Sequence, residues 1–480
     1  LVALGTINEW QPPHGLVTTW TASSAAREAA RVAQRSDLPP SFQRNRHLRT
    51  ARDGSAALRK QPRLMIVAWD MPGICDIAAM TAALNAHVRR HDTYHDWFEY
   101  QDDVFVRRTM DPADIDLVPV AFGFMDAEQI RTHALATTPA TLEWDCFTFG
   151  IVQHRKHFTC YASVDHLHVD GISAGLIFLD ICVMYQGLPQ AATLTRVASY
   201  RHYAARQRAK VDSLTLSSPE IKDWIEFARD VDGNWPGFPL PLGDTSCDSK
   251  GDFLTVELLD AAQTKAFDTV CRRAGARFSG GVMACAALAE HELTGTQTYH
   301  GFTPFDTRTP GTDTMTVGWF ASLVPVTVPI GTGSFPESAR AAQRSLDAAK
   351  GLADVPFERV LELATPEELG ITLSTRPAMM VSYLDIRKIP VAALWETTNF
   401  GAYGDNLSHG GVNTWITRHT AKTTVTMSFP DNPVARESAY RYLATLACVF
   451  AKAAIARHDG RIPLQIMRIR TGCTLRAVGR

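Results

Sequence analysis

Between Tyr161 and Ser173 the chain reads YASVDHLHVDGIS, which puts Asp165, His166, His168 and Asp170 within six residues of one another. An imidazole with a pKa near ~6.5 can take a proton from a hydroxyl, and a carboxylate nearby can orient it or steady its cation. Tyr161–Val164 has the residue types of a half-buried strand end. The apolar stretch Ile172–Tyr185, opened by Gly171, is long enough for a helix. The four polar side chains therefore fall on a strand-to-helix turn, where a rigid scaffold presents groups to a substrate.

Three chemistries compete for this turn. The plainest is a satisfied polar turn with no reaction. A second is a metal site, because His166-x-His168-x-Asp170 resembles the H-x-H-x-D-H zinc motif of metallo-β-lactamase-like hydrolases, although Gly171 stands where a further His ligand is expected. A third is acyl transfer. His166-x-x-x-Asp170-Gly171 resembles the H-H-x-x-x-D-G motif of acyltransferases related to chloramphenicol acetyltransferase and to peptide-synthetase condensation domains, with Asp165 in place of the first His. A hydrolase with a serine-nucleophile elbow is not expected.

The elements that must hold this turn can be followed along the chain. Ser23–Ser36 reads as a helix stopped by Pro39-Pro40, and Ser41 caps a second helix over Phe42–Arg52. Leu64–Asp70 is β-rich. Asp76 caps a helix with Ile77, Met80, Leu84 and Val88 on one face, ending in Arg89-Arg90-His91. Trp97–Tyr100 and Val104–Arg108 predict strands around a Gln-Asp-Asp turn, and Asp126-x-x-Gln129 predicts a capping box. Phe147–Gln153 and His157–Val164 predict a hairpin that delivers the chain to the turn. After the Pro-rich stretch Trp235–Gly243 the pattern restarts with strand Phe253–Leu259 and closes with helix Ala435–Arg457; between them Val317–Ile330 reads as a strand-like crossing segment. The expectation is two α/β lobes around mixed sheets, residues 1–215 and 216–480.

Composition narrows the partners. The chain has 480 residues, 45% apolar and 20% charged, with a net charge of −2, which gives no electrostatic case for nucleic acid. Nine Cys lie singly without a C-x-x-C, as expected of reduced thiols in the cytoplasm. Leu1–Trp20 lacks a basic n-region and holds Pro12 and Pro13, so no signal peptide is expected. The apolar run Ala174–Met184 is broken by Asp180 and too short to span a bilayer. The expected location is the cytoplasm or the inner face of the plasma membrane. The tail with Arg468, Arg470, Arg476 and Arg480 reads as a solvated end.

Further motifs follow in a fixed order. Val88–Phe98 (VRRHDTYHDWF) resembles the condensation-domain motif R-H-E-x-L-R-T-x-F, with Arg90 and His91 matching and His95 in place of the second Arg. Val317–Pro325 is similar to G-x-F-x-N-x-x-P, and Asp354–Glu358 to Q-D-x-P-F-E. RRHDTYHDWFE, LEWDCFTFGIVQ, GARFSGGVMACAALAEHELTG and FPDNPVARES resemble the mycobacterial polyketide-synthase-associated acyltransferases, in particular the branch that acylates trehalose or trehalose sulfate. The resemblance covers nearly the whole chain. It implies two chloramphenicol-acetyltransferase-like lobes forming a pseudo-dimeric V, with an active-site tunnel at their interface that thioester and acceptor enter from opposite faces.

The residue reading and the resemblance agree on a mechanism. His166 is the expected general base, a role worth about 10²–10⁴-fold. The backbone N–H of Gly171, at a helix start, is the expected oxyanion donor. Asp170 is either an orienter of His166 or a structural ion-pair member; the resemblance implies a buried pair between Asp170 and Arg90. Asp165 either binds a sugar hydroxyl or merely fills the place of the first His. Trp319 either lines the tunnel or packs in the core. His168 reads as structural, and Arg308 as an anion contact or a surface salt bridge. No metal and no cofactor are expected. The co-substrate is acyl-coenzyme A or a carrier-bound thioester, the acceptor a trehalose-type sugar, and further partners a polyketide synthase or its carrier domain and a lipid transporter, with the chain itself a monomer. Rival functions are an amide-forming condensation domain, a non-catalytic module that binds a carrier protein, and a zinc hydrolase.

Overall fold

A computed structural model describes residues 3–56, 62–187, 196–232, 235–245, 250–373, 377–389, 392–408 and 410–455. The tail from Arg468 lies outside the described residues. The chain divides into two compact units, and the division is not a single cut near residue 215. Leu1–Ser213 is joined in the first unit by Thr307–Ala321 and Pro390–Leu407, and the second unit holds Leu214–Asp306, Ser322–Ile389 and Ser408–Arg480.

In the first unit the strands are β1 (Ala3–Thr6), β2 (Gly15–Ala22), β3 (Gln34–Ser36), β4 (Leu64–Pro72), β5 (Asp96–Gln101), β6 (Val104–Thr109), β7 (Leu117–Met125), β8 (Phe147–Gln153) and β9 (His157–Asp165). A seven-stranded sheet runs β1, Gly401–Gly404, β4, β9, β8, β2, β7, and β3, β6 and β5 form a small second sheet. Strand Gly401–Gly404 lies parallel to β1 and antiparallel to β4, so the sheet is mixed. β9 is central. It is antiparallel to both β4 and β8, with Leu64 opposite Asp165, and it is buried along nearly its whole length. That explains its apolar composition on both faces. The helices are α1 (Ser24–Arg31), α2 (Phe42–Ala56), α3 (Ile77–Arg90), α4 (Ala127–Ala136), α5 (Gly171–Tyr185) and α6 (Tyr200–Asp212). α3 packs on α5, and α5 packs on β4. Met80, Leu84 and Val88 of α3 are buried as their spacing predicts, Asp76 caps α3, and the Asp126–Gln129 capping box is formed.

In the second unit a six-stranded mixed sheet runs Gly251–Leu259, Thr423–Pro430, Asn413–Arg418, Met380–Asp385, Thr298–Asp306, Ala321–Pro329. Its core is built from helices Ala261–Arg273, Phe278–Thr294, Phe335–Ala349 and Pro433–Ile455, around side chains such as Phe267, Val282, Leu346 and Phe450. Of the stretch Val317–Ile330 that reads as one crossing segment, only Ala321–Pro329 is a strand; Val317–Phe320 is packed into the first unit by Tyr200 and Tyr203. Among the described residues no helix is long and apolar enough to cross a membrane.

Candidate active site

The turn after β9 is held at both ends and in the middle. Asp165 N donates to Cys146 O (3.0 Å) and His166 N to Arg63 O (2.7 Å), so the sheet's pairing runs one residue past the strand. Within the turn, Leu167 N donates to Asp165 Oδ1 (2.9 Å) and His168 N to Asp165 O (2.9 Å). From α2, the fully buried Arg44 donates through Nε to Leu167 O (2.8 Å) and through Nη2 to Thr93 Oγ1, which in turn donates to His168 O (3.3 Å). Asp170 then caps α5 by accepting from Ser173 N (2.9 Å). A side chain on this turn sits on a framework fixed by main-chain bonds.

His166 stands out among the polar residues of the turn. It is half-buried: its Nδ1 is sealed from solvent on the side of its own main-chain carbonyl, and among the described residues no hydrogen bond occupies its Nε2. The ring lies 4.0 Å from the Trp319 ring, tilted by 46°, and 6.4 Å from the ring of His47 on α2. Burial pushes its pKa down to about 4, helped by the charge of His47 and opposed by its own main-chain carbonyl, Asp170 and Asp165. At neutral pH His166 is therefore an uncharged imidazole, able to accept a proton.

Both flanking carboxylates are fully engaged. Asp165 Oδ1 accepts from His47 Nε2 (2.7 Å) and Leu167 N, and its Oδ2 from Arg63 Nη1 (3.0 Å) and Thr141 Oγ1 (2.7 Å). It is 0% exposed. Burial would raise its pKa, but the charge of His47, its hydrogen bond and the charge of Arg63 outweigh that and hold it well below the usual carboxylate range. The expectation that Asp165 binds substrate is corrected on this geometry: its lone pairs are all occupied inside the protein.

The expected Arg90–Asp170 pair is also corrected. Asp170 is held in a bidentate pair by Arg308, Nη1 to Oδ2 at 2.9 Å and Nη2 to Oδ1 at 3.0 Å, and Oδ2 also accepts from Phe320 N (2.9 Å). Burial would raise the Asp170 pKa, but the Arg308 charge and hydrogen bond prevail and lower it. Arg90 Nε lies instead 3.2 Å from Asp180 Oδ2. Asp180 lies ten residues after Asp170, about 15 Å along the α5 axis, where the C-terminal end of α3 lies. Arg308, with 8% of its surface exposed, is thus a buried partner rather than a surface one.

The segment carrying Arg308 and Trp319 is fastened to the same unit. Tyr200 Oη donates to Trp319 O (2.7 Å), and Tyr203 Oη bonds Thr307 Oγ1 (2.7 Å). Gly318 is required there: a Cβ would lie 2.2 Å from the Tyr200 ring. Trp319 is half-buried, in contact with both His166 and His47 (ring centroids 5.5 Å). Gly171 is exposed at the first position of α5, and a Cβ added there meets nothing within 4 Å. Neither sterics nor backbone angle demands glycine, and the space where a side chain would stand is open.

Other readings of the turn separate from the site. His168 is fully buried, with Nδ1 3.4 Å from Thr93 Oγ1 and Nε2 3.2 Å from Cys146 Sγ; burial and then Arg44 push its pKa to about 3. With Asp170 bound to Arg308, the residues of His166-x-His168-x-Asp170 do not converge as metal ligands. Gly171-Ile-Ser173-Ala-Gly175 does have the G-x-S-x-G spacing of serine hydrolases, which corrects the expectation that such an elbow is missing. Ser173 is nevertheless 0% exposed inside α5, with Oγ donating to Gly318 O (2.8 Å) and accepting from Arg308 Nη2 (2.9 Å); it is a packing hydroxyl. His87, His91 and Asp180 have ligand atoms within 4.8 Å of one another. Their atoms already bond each other and face the Arg90 cation, an arrangement that needs no metal.

His47 and Arg63 are absent from the sequence reading. A signal existed: a carboxylate at the end of a buried strand needs a cation, and Arg44 and His47 lie three residues apart, on one face of α2.

Comparison with known proteins follows from this geometry. The condensation-domain family model matches residues 64–371. The chain is 44% identical to the trehalose-2-sulfate acyltransferase PapA2 of Mycobacterium tuberculosis, over 95% of this chain and 98% of the relative. It is 43% identical to the acyltransferase PapA3 of the same organism, over 94% and 97%. The solved structure of the PapA2 acyl transferase superposes with a TM-score of 0.89 at 44% identity, covering 94% of this chain and 99% of that one. The X-domain from teicoplanin biosynthesis, at 18% identity, 89% and 97% coverage and a TM-score of 0.67, shares the fold.

Proposed function

The chain belongs to the condensation-domain family, and from that premise we propose that it is an acyltransferase moving a long-chain acyl group from a thioester to a hydroxyl of trehalose or a trehalose derivative. The observation that carries the reading is His166: a neutral imidazole whose Nε2 is free of protein hydrogen bonds, on a turn whose flanking carboxylates are both held by cations. Close similarity to relatives named for acyl transfer to trehalose-2-sulfate supports the acceptor class.

In this reading the sugar hydroxyl gives its proton to His166 as its oxygen attacks the thioester carbonyl. The tetrahedral oxyanion is met by the Gly171 N–H at the start of α5. Collapse breaks the carbon–sulfur bond, and the thiolate takes the proton back from the imidazolium. Asp170 keeps the turn and helix start in place through Arg308. No metal or cofactor takes part. The donor is acyl-coenzyme A or a synthase-borne chain, used by a monomer in the cytoplasm or at the inner membrane face; the described cysteines, all free thiols, fit that compartment.

The test is incubation with palmitoyl-coenzyme A and either trehalose or trehalose-2-sulfate, following free thiol and sugar ester by mass spectrometry. Ester formation with one acceptor and not with glucose supports the reading. Thioester hydrolysis without ester, or no turnover with either disaccharide, overturns it.

A further inference from the structure

His47 has no role in the mechanism above, yet it touches both Asp165 and Trp319, the neighbours of the base. Its Nε2–H is donated to Asp165 Oδ1 at 2.7 Å, a bond whose direction is fixed because a carboxylate only accepts. Its ring meets Trp319 edge-on at 5.5 Å, and Trp319 lies against His166 at 4.0 Å, tilted by 46°, with the two imidazoles 6.4 Å apart, so the three rings form one cluster. Its side chain is 10% exposed, unlike the sealed histidines His87, His91 and His168. Asp165, the one strong partner it has in this arrangement, is anchored independently by Arg63, Thr141 and Leu167 N.

We propose that His47, seated on Asp165, is a positioning residue for His166: it fixes the tilted Trp319–His166 contact and, when protonated, places a positive charge 6.4 Å from the base. The other charged or titratable groups around these rings are Arg44 on α2, Arg63 ahead of β4, Asp165, His168 and Asp170 in the turn, and Arg308 beside Asp170. Asp165 and Asp170 pull His166 toward protonation, and each is offset by its own cation: His47 and Arg63 on one side, Arg308 on the other. His47, with its ring 6.4 Å from that of the base, is after burial the largest influence against its protonation. Removing it leaves the two carboxylates less balanced and the base more readily protonated.

The kinetic consequence rests on the acyl-transfer reading, so the test has an arm that does not. The full-length protein and its His47→Gln, His47→Phe and His47→Lys variants are titrated by NMR through the imidazole signals, with His166 assigned by its loss in His166→Ala. Gln keeps a donor toward Asp165, Phe keeps a ring against Trp319, and Lys restores charge without a ring. The His166 midpoint is expected to rise by about one pH unit in the Gln and Phe variants, the size of a unit charge at this separation in an intermediate dielectric, and to stay near the wild-type value in Lys. The acid limb of kcat/KM should move with it. A His166 midpoint unchanged in whichever of the Gln and Phe variants folds, or one raised equally in Lys, overturns the proposal. Loss of acyl transfer in the wild-type protein would instead overturn the function while leaving the titration result standing.

Discussion

Two histidine–carboxylate–arginine groups lie in the first unit, and they end in opposite states. At the end of α3, His87 Nδ1 and His91 Nε2 both meet Asp180 Oδ2 (3.3 and 2.7 Å), His87 Nε2 meets Tyr94 Oη (3.3 Å), and His91 Nδ1 accepts from Val317 N (3.3 Å). Every ring nitrogen there is spent. After β9, Asp165 is spent on His47 and Arg63 and Asp170 on Arg308, while His166 has no side-chain hydrogen-bond partner among the described residues. The same residue types make a closed brace in one place and an open base in the other. What differs is whether the carboxylates are satisfied by cations other than the imidazole in question.

The comparison can be broken most severely at Arg308. Arg308→Met leaves the buried Asp170 carboxylate without its guanidinium, and should cost about 3–5 kcal/mol of stability, read as a lower midpoint in urea unfolding; an unchanged midpoint would mean that the pair is dispensable. The next effect is on acid stability. His91 and His166 have pKa values pushed down to about 4 and His168 to about 3. Each is neutral when folded and protonated when unfolded between about pH 6.5 and those values, so the unfolded state binds more protons as pH falls. Stability should therefore drop on acidification by up to roughly 1.4 kcal/mol per pH unit for each histidine, and His168→Gln, if it folds, should flatten the slope by one histidine's share.

Arg90→Gln should cost less than Arg308→Met, about 1–3 kcal/mol, because the buried Asp180 loses a guanidinium but keeps its contacts with both imidazoles. A loss as large as that of Arg308→Met would mean that Arg90, not the histidines, holds the brace. Gly171→Ala should change stability by less than about 0.5 kcal/mol, since its Cβ meets nothing, while kcat/KM falls at least about tenfold because the methyl group crowds the open space beside the oxyanion donor. Undiminished turnover in Gly171→Ala would remove that N–H from the account.

The turn was legible in the sequence because its signals are local. An apolar run that ends in a polar residue, an Asp three residues before a Ser N–H and a long apolar helix behind it predict β9, the cap and α5 without any partner being known. The Asp126–Gln129 capping box and the Asp102–Asp103 turn, where both residues have positive φ, were legible for the same reason. Strand β7 was not: its side chains are mostly exposed, Pro119 interrupts it and Gly123 bulges it, so neither alternation nor apolarity marks it. The ion pairs were illegible as pairs. Asp170 and Asp180 both sit on α5, and nothing in the chain says which one the end of α3 will reach; Arg308 is 138 positions from its partner. His47 lies on the basic helix α2, whose composition carries no catalytic signal.

The central claim is that the unpartnered imidazole of His166 does the proton transfer. The most direct measurement is single-turnover acyl transfer from palmitoyl-coenzyme A to trehalose-2-sulfate by wild-type protein and His166→Ala, with donor binding and thermal unfolding measured on the same samples. The account predicts unchanged donor affinity, an unfolding midpoint close to wild type and a rate lower by about 10²–10⁴-fold. A His166→Ala variant that acylates the sugar at near wild-type rate would contradict it.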